Sequence, residues 1–163
     1  DFPALLTGGS QERGRRAGTV NVAGAVGLAA ACRIAHRDLA ARTRAWHLQQ
    51  QRLELALVAL GARVVGAQVP RLPQTTCAVF PGVPNELVVQ AADLRGIAIS
   101  AGAACASGST EPSPVLTAMG DPDAGSGIRI SQGPQTSMQD IDALLAVLAE
   151  VIPALGGLDE VDA

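Results

Sequence analysis

The chain has 163 residues, 48% of them hydrophobic, and a formal net charge of −3. That length suits one ordinary domain with a buried core, and no basic stripe interleaved with aromatics points to direct nucleic-acid binding. No apolar run reaches the roughly 18 uncharged residues that a membrane span needs. Aromatic residues make up 2% and Tyr is absent, so Ala, Val and Leu must build the core. The start "DFPALLTGG" lacks a Met and the charged-then-apolar order of a signal peptide, so the expectation is a piece of a longer cytoplasmic protein.

In chain order, "DFPALLTGGSQERGRRAGT" is rich in Gly and Arg and reads as loop. Asn21 is placed to cap a helix from Val22 to about His36, and the pattern continues from Asp38 to Leu60. Leu53, Leu57 and Leu60 mark its buried stripe, and Gly61 stops it. "ARVVG" and "TTCAVF" have strand composition. "PNELVVQAADLRG" reads as a helix capped by Asn85 and ended by Gly96, and "IAIS" as a short buried strand. "SPVLTAMG" is a short helix, "GIRIS" a strand, and "TSMQDIDALLAVLAEVIPAL" the last helix. Ser137 and Asp140 imitate a capping box there. Ile141, Leu144, Leu145, Leu148, Val151 and Ile152 give the helix one apolar face.

Alternating strands and helices predict an α/β or α+β layer: a small mixed or antiparallel sheet covered by helices and preceded by a long helix. Strand order is not legible.

Three cysteines, Cys32, Cys77 and Cys105, are widely spaced and match neither a disulfide framework nor metal-ligand spacing with His36 or His47. No metal is expected. Cys32 and Cys77 fall in apolar patterns and read as packing residues. Cys105 differs: "SAGAACASGSTEPSPVL" surrounds it with Gly, Ala, Ser and Thr, a loop composition that leaves a thiol accessible. It is either an idle surface thiol or a nucleophile that must travel. Arg129, in "GIRIS", is either a water-facing strand residue or a fork for a carboxylate. "GGSQERGRRAGT", with Thr19 ahead of a helix, is a weak candidate anion site. All twelve basic residues are Arg, so no residue of this chain can form a lysine Schiff base.

The order "GGSQERGRRAGTVNVAGAVGLAAA", "SAGAACASGSTEPSPVLTAMG" and "IRISQGPQTSMQDID" resembles the second half of a pyridoxal-phosphate-dependent cysteine desulfurase of the class V aminotransferase superfamily. Within it the chain resembles the group with an extended S-S-G-S-A-C type cysteine loop. The resemblance implies the C-terminal domain of a fold-type I enzyme, with residues 1–37 the tail of a large cofactor-binding domain and 38–163 a small domain. It implies that Cys105 takes sulfur from L-cysteine as a persulfide and that Arg129 holds the substrate carboxylate. It also implies that Thr19 reaches the cofactor phosphate of the partner subunit in a homodimer, and that a sulfur-acceptor protein serves iron-sulfur or other sulfur-transfer pathways. Ala101, Ala103, Pro114, Pro134 and Ser10 depart from the usual residues of that pattern. Because the chain lacks the lysine, it is expected to be inactive alone. The competing expectation is a stand-alone relay that accepts a persulfide on Cys105 without a cofactor.

Overall fold

A computed structural model describes residues 3–101 and 112–156. The chain divides into two compact units, Asp1–Ala40 and Ala41–Ala163. The first contains a short 3-10 turn, Gln11–Gly14, and the first turns of helix α1, Val22–Ala59. Asn21 caps α1 as its sequence position predicts, its Oδ1 accepting from the Gly24 N–H at 2.8 Å. Within this unit Val22, Val26 and Leu28 are exposed. Cys32 is exposed too, so the packing role expected of it does not hold within this unit.

The second unit holds the rest of α1, strands β1 (Arg63–Val64), β2 (Thr75–Val79) and β3 (Gly127–Ser131), and helices α2 (Asn85–Asp93), α3 (Pro114–Ala118) and α4 (Met138–Gly156). The sheet is antiparallel throughout, in the order β1-β2-β3. Period-two alternation gives it two faces. Ala78, Ile128 and Ile130 face the main core, where they meet Leu53 and Leu57 of α1, Val88 of α2, and Ile141, Leu144 and Leu148 of α4. Val79 packs on the other face with Leu116 and Ala124, and Cys77 lies against them. All six residues of the predicted α4 stripe are buried.

Helix ends follow local chemistry. Gly61, Gly96 and Gly120 each take a positive φ, which glycine adopts without steric cost. Each donates its N–H to the carbonyl three residues back, and the next residue donates five back, as in Ala62 to Leu57 at 2.9 Å. The capping box is formed: Ser137 N–H donates to Asp140 Oδ2 at 2.8 Å, and Asp140 N–H to Ser137 Oγ at 3.2 Å. Two elements differ from their sequence reading. Pro84, not Asn85, occupies the cap of α2; Asn85 is buried and donates through Nδ2 to the Gly127 carbonyl at 3.1 Å. The "IAIS" run makes only one bridge, Ser100 to Arg129.

The connection from β3 to α4 is held from α1. Trp46 Nε1 donates to the Gly133 carbonyl at 3.2 Å, and Gln49 Nε2 to the Thr136 carbonyl at 2.7 Å. A second polar cluster ties α1 to β2. Arg71 donates to both Glu54 oxygens, at 2.5 and 2.7 Å, and Thr76, fully buried, donates to Oε1 at 2.9 Å. Burial pushes the Glu54 carboxyl up, but the bonds from Arg71 and Thr76 outweigh it and hold it below its ordinary value of 4.5.

Two outcomes follow from this packing. Leu148, completely buried among helix and sheet residues, should cost about 2–5 kcal/mol when changed to Ala, measured by urea unfolding. A carboxyl with a depressed folded pKa stabilises above its unfolded value and loses that contribution as pH falls through the folded one. Stability should therefore decline below pH 4.5, and Arg71→Met should flatten that decline while lowering neutral-pH stability by about 1–3 kcal/mol. An unchanged acid limb in the variant would assign the effect to other carboxyls.

Candidate active site

Arg129 occupies the middle of β3, and the ladder explains how it is held. Gln132 N–H bonds the Gln74 carbonyl at 2.8 Å and Phe80 N–H the Ser126 carbonyl at 3.1 Å. Even-numbered positions of β3 therefore direct their backbone groups to β2, and odd-numbered ones to the opposite edge. There Arg129 exchanges both backbone bonds with Ser100, at 2.7 and 3.1 Å. On the β2 side its register partner is Cys77. Residues directly opposite in an antiparallel pair share a face, so Cys77, Arg129 and Ser100 form a row on the face away from the main core.

The Arg129 side chain is half-buried. Among the described residues its guanidinium makes no ion pair and no hydrogen bond. A cationic fork with its donors unspent among the described residues, carried on a backbone bonded along both edges, suits a carboxylate taken up in two parallel hydrogen bonds.

The neighbouring thiol is of a different kind. Burial pushes the Cys77 thiol up, the Asp121 carboxylate adds to the rise, and the Arg129 and Arg63 guanidiniums offset it only in part. Cys77 is thus kept protonated, and a protonated thiol is a poor nucleophile. Asp121 itself is engaged by Arg63, whose Nη2 lies 2.7 Å from both carboxylate oxygens.

Cys105 lies outside the described residues, which stop at 101 and resume at 112. What is described is how the chain is fastened on either side. Before the interval Ser100 is bonded to Arg129. After it Ser113 N–H donates to the Ala124 carbonyl at 3.0 Å, and the Ser113 side chain caps α3 by accepting from Leu116 N–H at 3.4 Å. Leu116 in turn packs on Gly127: a Cβ there would lie 2.5 Å from Leu116 Cδ1. Both flanks are therefore tied to β3 or to the turn that enters it.

Thr19 lies in the other unit and is exposed. Arg16 Nη1 donates to the Gly18 and Thr19 carbonyls at 3.1 and 2.9 Å, and Gly18 N–H donates to Gln11 Oε1 at 3.3 Å. Upstream, Glu12 and Arg13 take φ of 53° and 58°, a left-handed conformation that costs a non-glycine residue about 1–2 kcal/mol. An exposed threonine hydroxyl fits a phosphate oxygen. The amine needed to hold a pyridoxal aldehyde as a Schiff base is not supplied by this chain, which has no lysine. Pyridoxal phosphate thus finds one fitting group in this chain and not its covalent anchor.

His36 and His47 are exposed on α1. Among the described residues no three His, Cys, Asp or Glu side chains gather as a metal site, and no helix is long and apolar enough to cross a membrane. The sequence reading did not identify Ser100 as the partner of Arg129, nor Asn85 as a brace of the turn into β3. Neither has a local signal, because both are defined by pairing across the fold.

Residues 6–144 match the family described as Aminotransferase class-V. The chain is 42% identical over 161 residues to a cysteine desulfurase of Cereibacter sphaeroides, covering 96% of this chain and 41% of that protein. It is 41% identical to a cysteine desulfurase of Klebsiella pneumoniae, covering 96% and 40%. The X-ray structure of a NifS-like protein from Rickettsia africae superposes with a TM-score of 0.79 at 28% identity, covering 94% of this chain and 41% of that one. The chain thus spans about two-fifths of the length of these relatives. With residues 6–144 matched by the family model and 96% of its length aligned to these relatives, the chain belongs to the class-V aminotransferase family, among relatives that are cysteine desulfurases.

Proposed function

We propose that this chain is the thiol-bearing, substrate-clamping portion of a pyridoxal-phosphate-dependent cysteine desulfurase. The observation that carries the reading is the half-buried Arg129 guanidinium. It is unpaired among the described residues, and its strand is bonded to Ser100 at the start of the run that leads to Cys105. Residues 1–37 belong, in this reading, to a larger cofactor-binding domain and 38–163 to the small domain. Val22 and Val26, one helical turn apart on α1 and 65% and 61% exposed, support a covering partner surface for that face of the helix.

The chemistry divides by residue. Pyridoxal phosphate, when bound, supplies the electron sink that lets the Cβ–S bond of L-cysteine break. Arg129 holds the substrate carboxylate and so fixes where the sulfur sits. Cys105, as thiolate, attacks that sulfur: an S–S bond forms, the Cβ–S bond breaks, and the bonding pair stays on carbon until it is protonated. Alanine leaves, and the enzyme retains a persulfide. No outside oxidant is needed, since the carbon is reduced as the enzyme sulfur is oxidised. The terminal sulfur then passes to a thiol of an acceptor protein. Thr19 donates to the cofactor phosphate of a second subunit in a cytoplasmic homodimer.

The absence of lysine favours a second reading, a relay that receives sulfur already mobilised elsewhere. One experiment separates the two. The chain is incubated with a separate desulfurase and L-cysteine and then weighed intact. Gain of one sulfur at Cys105, lost in Cys105→Ser, supports the relay; gain only within a complete, lysine-bearing protein supports the desulfurase.

In the complete, cofactor-loaded enzyme, Arg129→Gln should lower kcat/KM for L-cysteine by roughly 100-fold, the loss of about 3 kcal/mol of charge-assisted hydrogen bonding. Persulfide transfer from Cys105 to a small thiol, followed after loading, should be unaffected. A variant with unchanged KM and kcat would remove Arg129 from the site.

A further inference from the structure

Beside the row that carries Arg129, the ladder comes apart. The pairing of Ser100 with Arg129 puts Ala98 opposite Ser131, two residues on, where the next pair of backbone bonds would form. They do not form: among the described residues neither the Ala98 N–H and C=O nor the outward-facing groups of Ser131 have a backbone partner. Between the two segments is a cavity of about 230 Å3, walled by Ile97, Ile99 and Ile130 and by Ile141 and Leu144 of α4.

Gln132 also lines this cavity and is only 6% exposed. Its amide oxygen and nitrogen are both buried and neither has a hydrogen-bond partner. By strand alternation it shares the face of Ile130, the face that Ile141 and Leu144 close. Leaving a buried amide unpaired costs roughly the desolvation of both of its ends. The terminal torsion of a glutamine is broad and soft, so its amide can turn to meet a partner in the cavity it lines.

The geometry points to a binding site for a small, neutral, aliphatic carboxamide, seated between the 97–99 segment and β3 with its amide paired to Gln132. Three features select that chemistry. An amide matches Gln132 as donor to acceptor and acceptor to donor, and the unpaired peptide groups of Ala98 and Ser131 offer the same pattern again. The isoleucine and leucine walls accept a branched aliphatic group. Asp140 lines the same cavity, and hydrogen bonds from the Ser137 N–H and hydroxyl hold its carboxyl below its ordinary value. The site therefore presents a negative charge at neutral pH and disfavours a carboxylate of the same shape. The volume is below the roughly 300–1,000 Å3 of pockets for drug-sized ligands, so the ligand is about the size of one amino-acid residue.

The test is a titration of the 163-residue chain with isobutyramide, followed in 1H–15N correlation spectra, with isobutyrate as the isosteric anion. The expected result is a saturable shift of the Gln132 side-chain NH2 and of the Ala98 and Ser131 amides. The dissociation constant should be roughly millimolar, as befits so few heavy atoms, and isobutyrate should bind at least about tenfold more weakly. Gln132→Met, close in shape and lacking the amide, should abolish saturation while the rest of the spectrum stays folded. Linear, unsaturating shifts, equal binding of amide and anion, or undiminished binding by the variant would each overturn the proposal and leave a water-filled crevice. Should Gln132→Met not fold, the amide-against-anion comparison on the unmodified chain decides alone.

Discussion

The pair of backbone hydrogen bonds between Arg129 and Ser100 is the constraint on which the rest depends. Without it β3 would be an ordinary edge, and an arginine in its middle would have a free main chain and a choice of rotamers facing water. With it, Arg129 is bounded by Cys77 on one side and Ser100 on the other. Its guanidinium leaves the sheet from a backbone that cannot slide. A one-residue slip in register would send the charge into the core occupied by Ile128 and Ile130. The hydrophobic alternation of β3 therefore specifies the orientation of the cation as firmly as it specifies the core.

The same strand organises the two ends of the interval that contains Cys105. Ser100 is bonded to its centre, and Ser113 is bonded to Ala124 in the turn before it. Asn85 braces that turn from α2, its N–H donating to the Gly125 carbonyl at 3.1 Å and its side chain to Gly127. Close packing of Leu116 against Gly127 leaves no room for a larger residue unless the leucine gives way. Under the proposed function, the substrate clamp and the supports on either side of the Cys105 interval thus share one five-residue strand. Substitutions far from any reacting atom can then alter the reaction through geometry alone.

What the sequence made legible was whatever has a local cause. The α4 stripe from Ile141 to Ile152 follows from helical periodicity, and all six positions are buried. The stops at Gly61, Gly96 and Gly120 follow from the one residue that accepts a left-handed backbone at no steric cost. The capping of α1 by Asn21 and of α4 by Ser137 follows from short polar side chains that reach the first free amides. What was not legible depends on partners distant in the chain. Asn85 looked like a cap because asparagine before a helix usually is one, yet its amide is bonded to Gly127, across the fold. The "IAIS" run has strand composition, but only Ser100 finds a bridge, since composition does not say where two segments part. Arg129 was identifiable as a candidate from its residue type. That its donors remain unspent among the described residues could be seen only with its neighbours in place.

The contrast among the thiols shows why residue type alone does not assign chemistry. Cys77 is opposite the very arginine that marks the site, and proximity alone would make it the more obvious nucleophile. Its surroundings decide otherwise: burial and the Asp121 carboxylate raise its pKa against the pull of two guanidiniums. A thiol kept protonated and packed beside Val79 and Leu116 behaves as a small hydrophobe. Fixed in a strand, it also has one position, whereas a sulfur that must leave a donor and meet an acceptor needs two. In the role proposed for it, Arg129 has the opposite requirement, because a carboxylate held in two parallel bonds tolerates little error in angle. Under the proposed function, the number of places each group has to be thus suits the carboxylate clamp, and not the transferring thiol, to a strand. A fold that put the cation on the connection and the thiol on the strand would serve neither task.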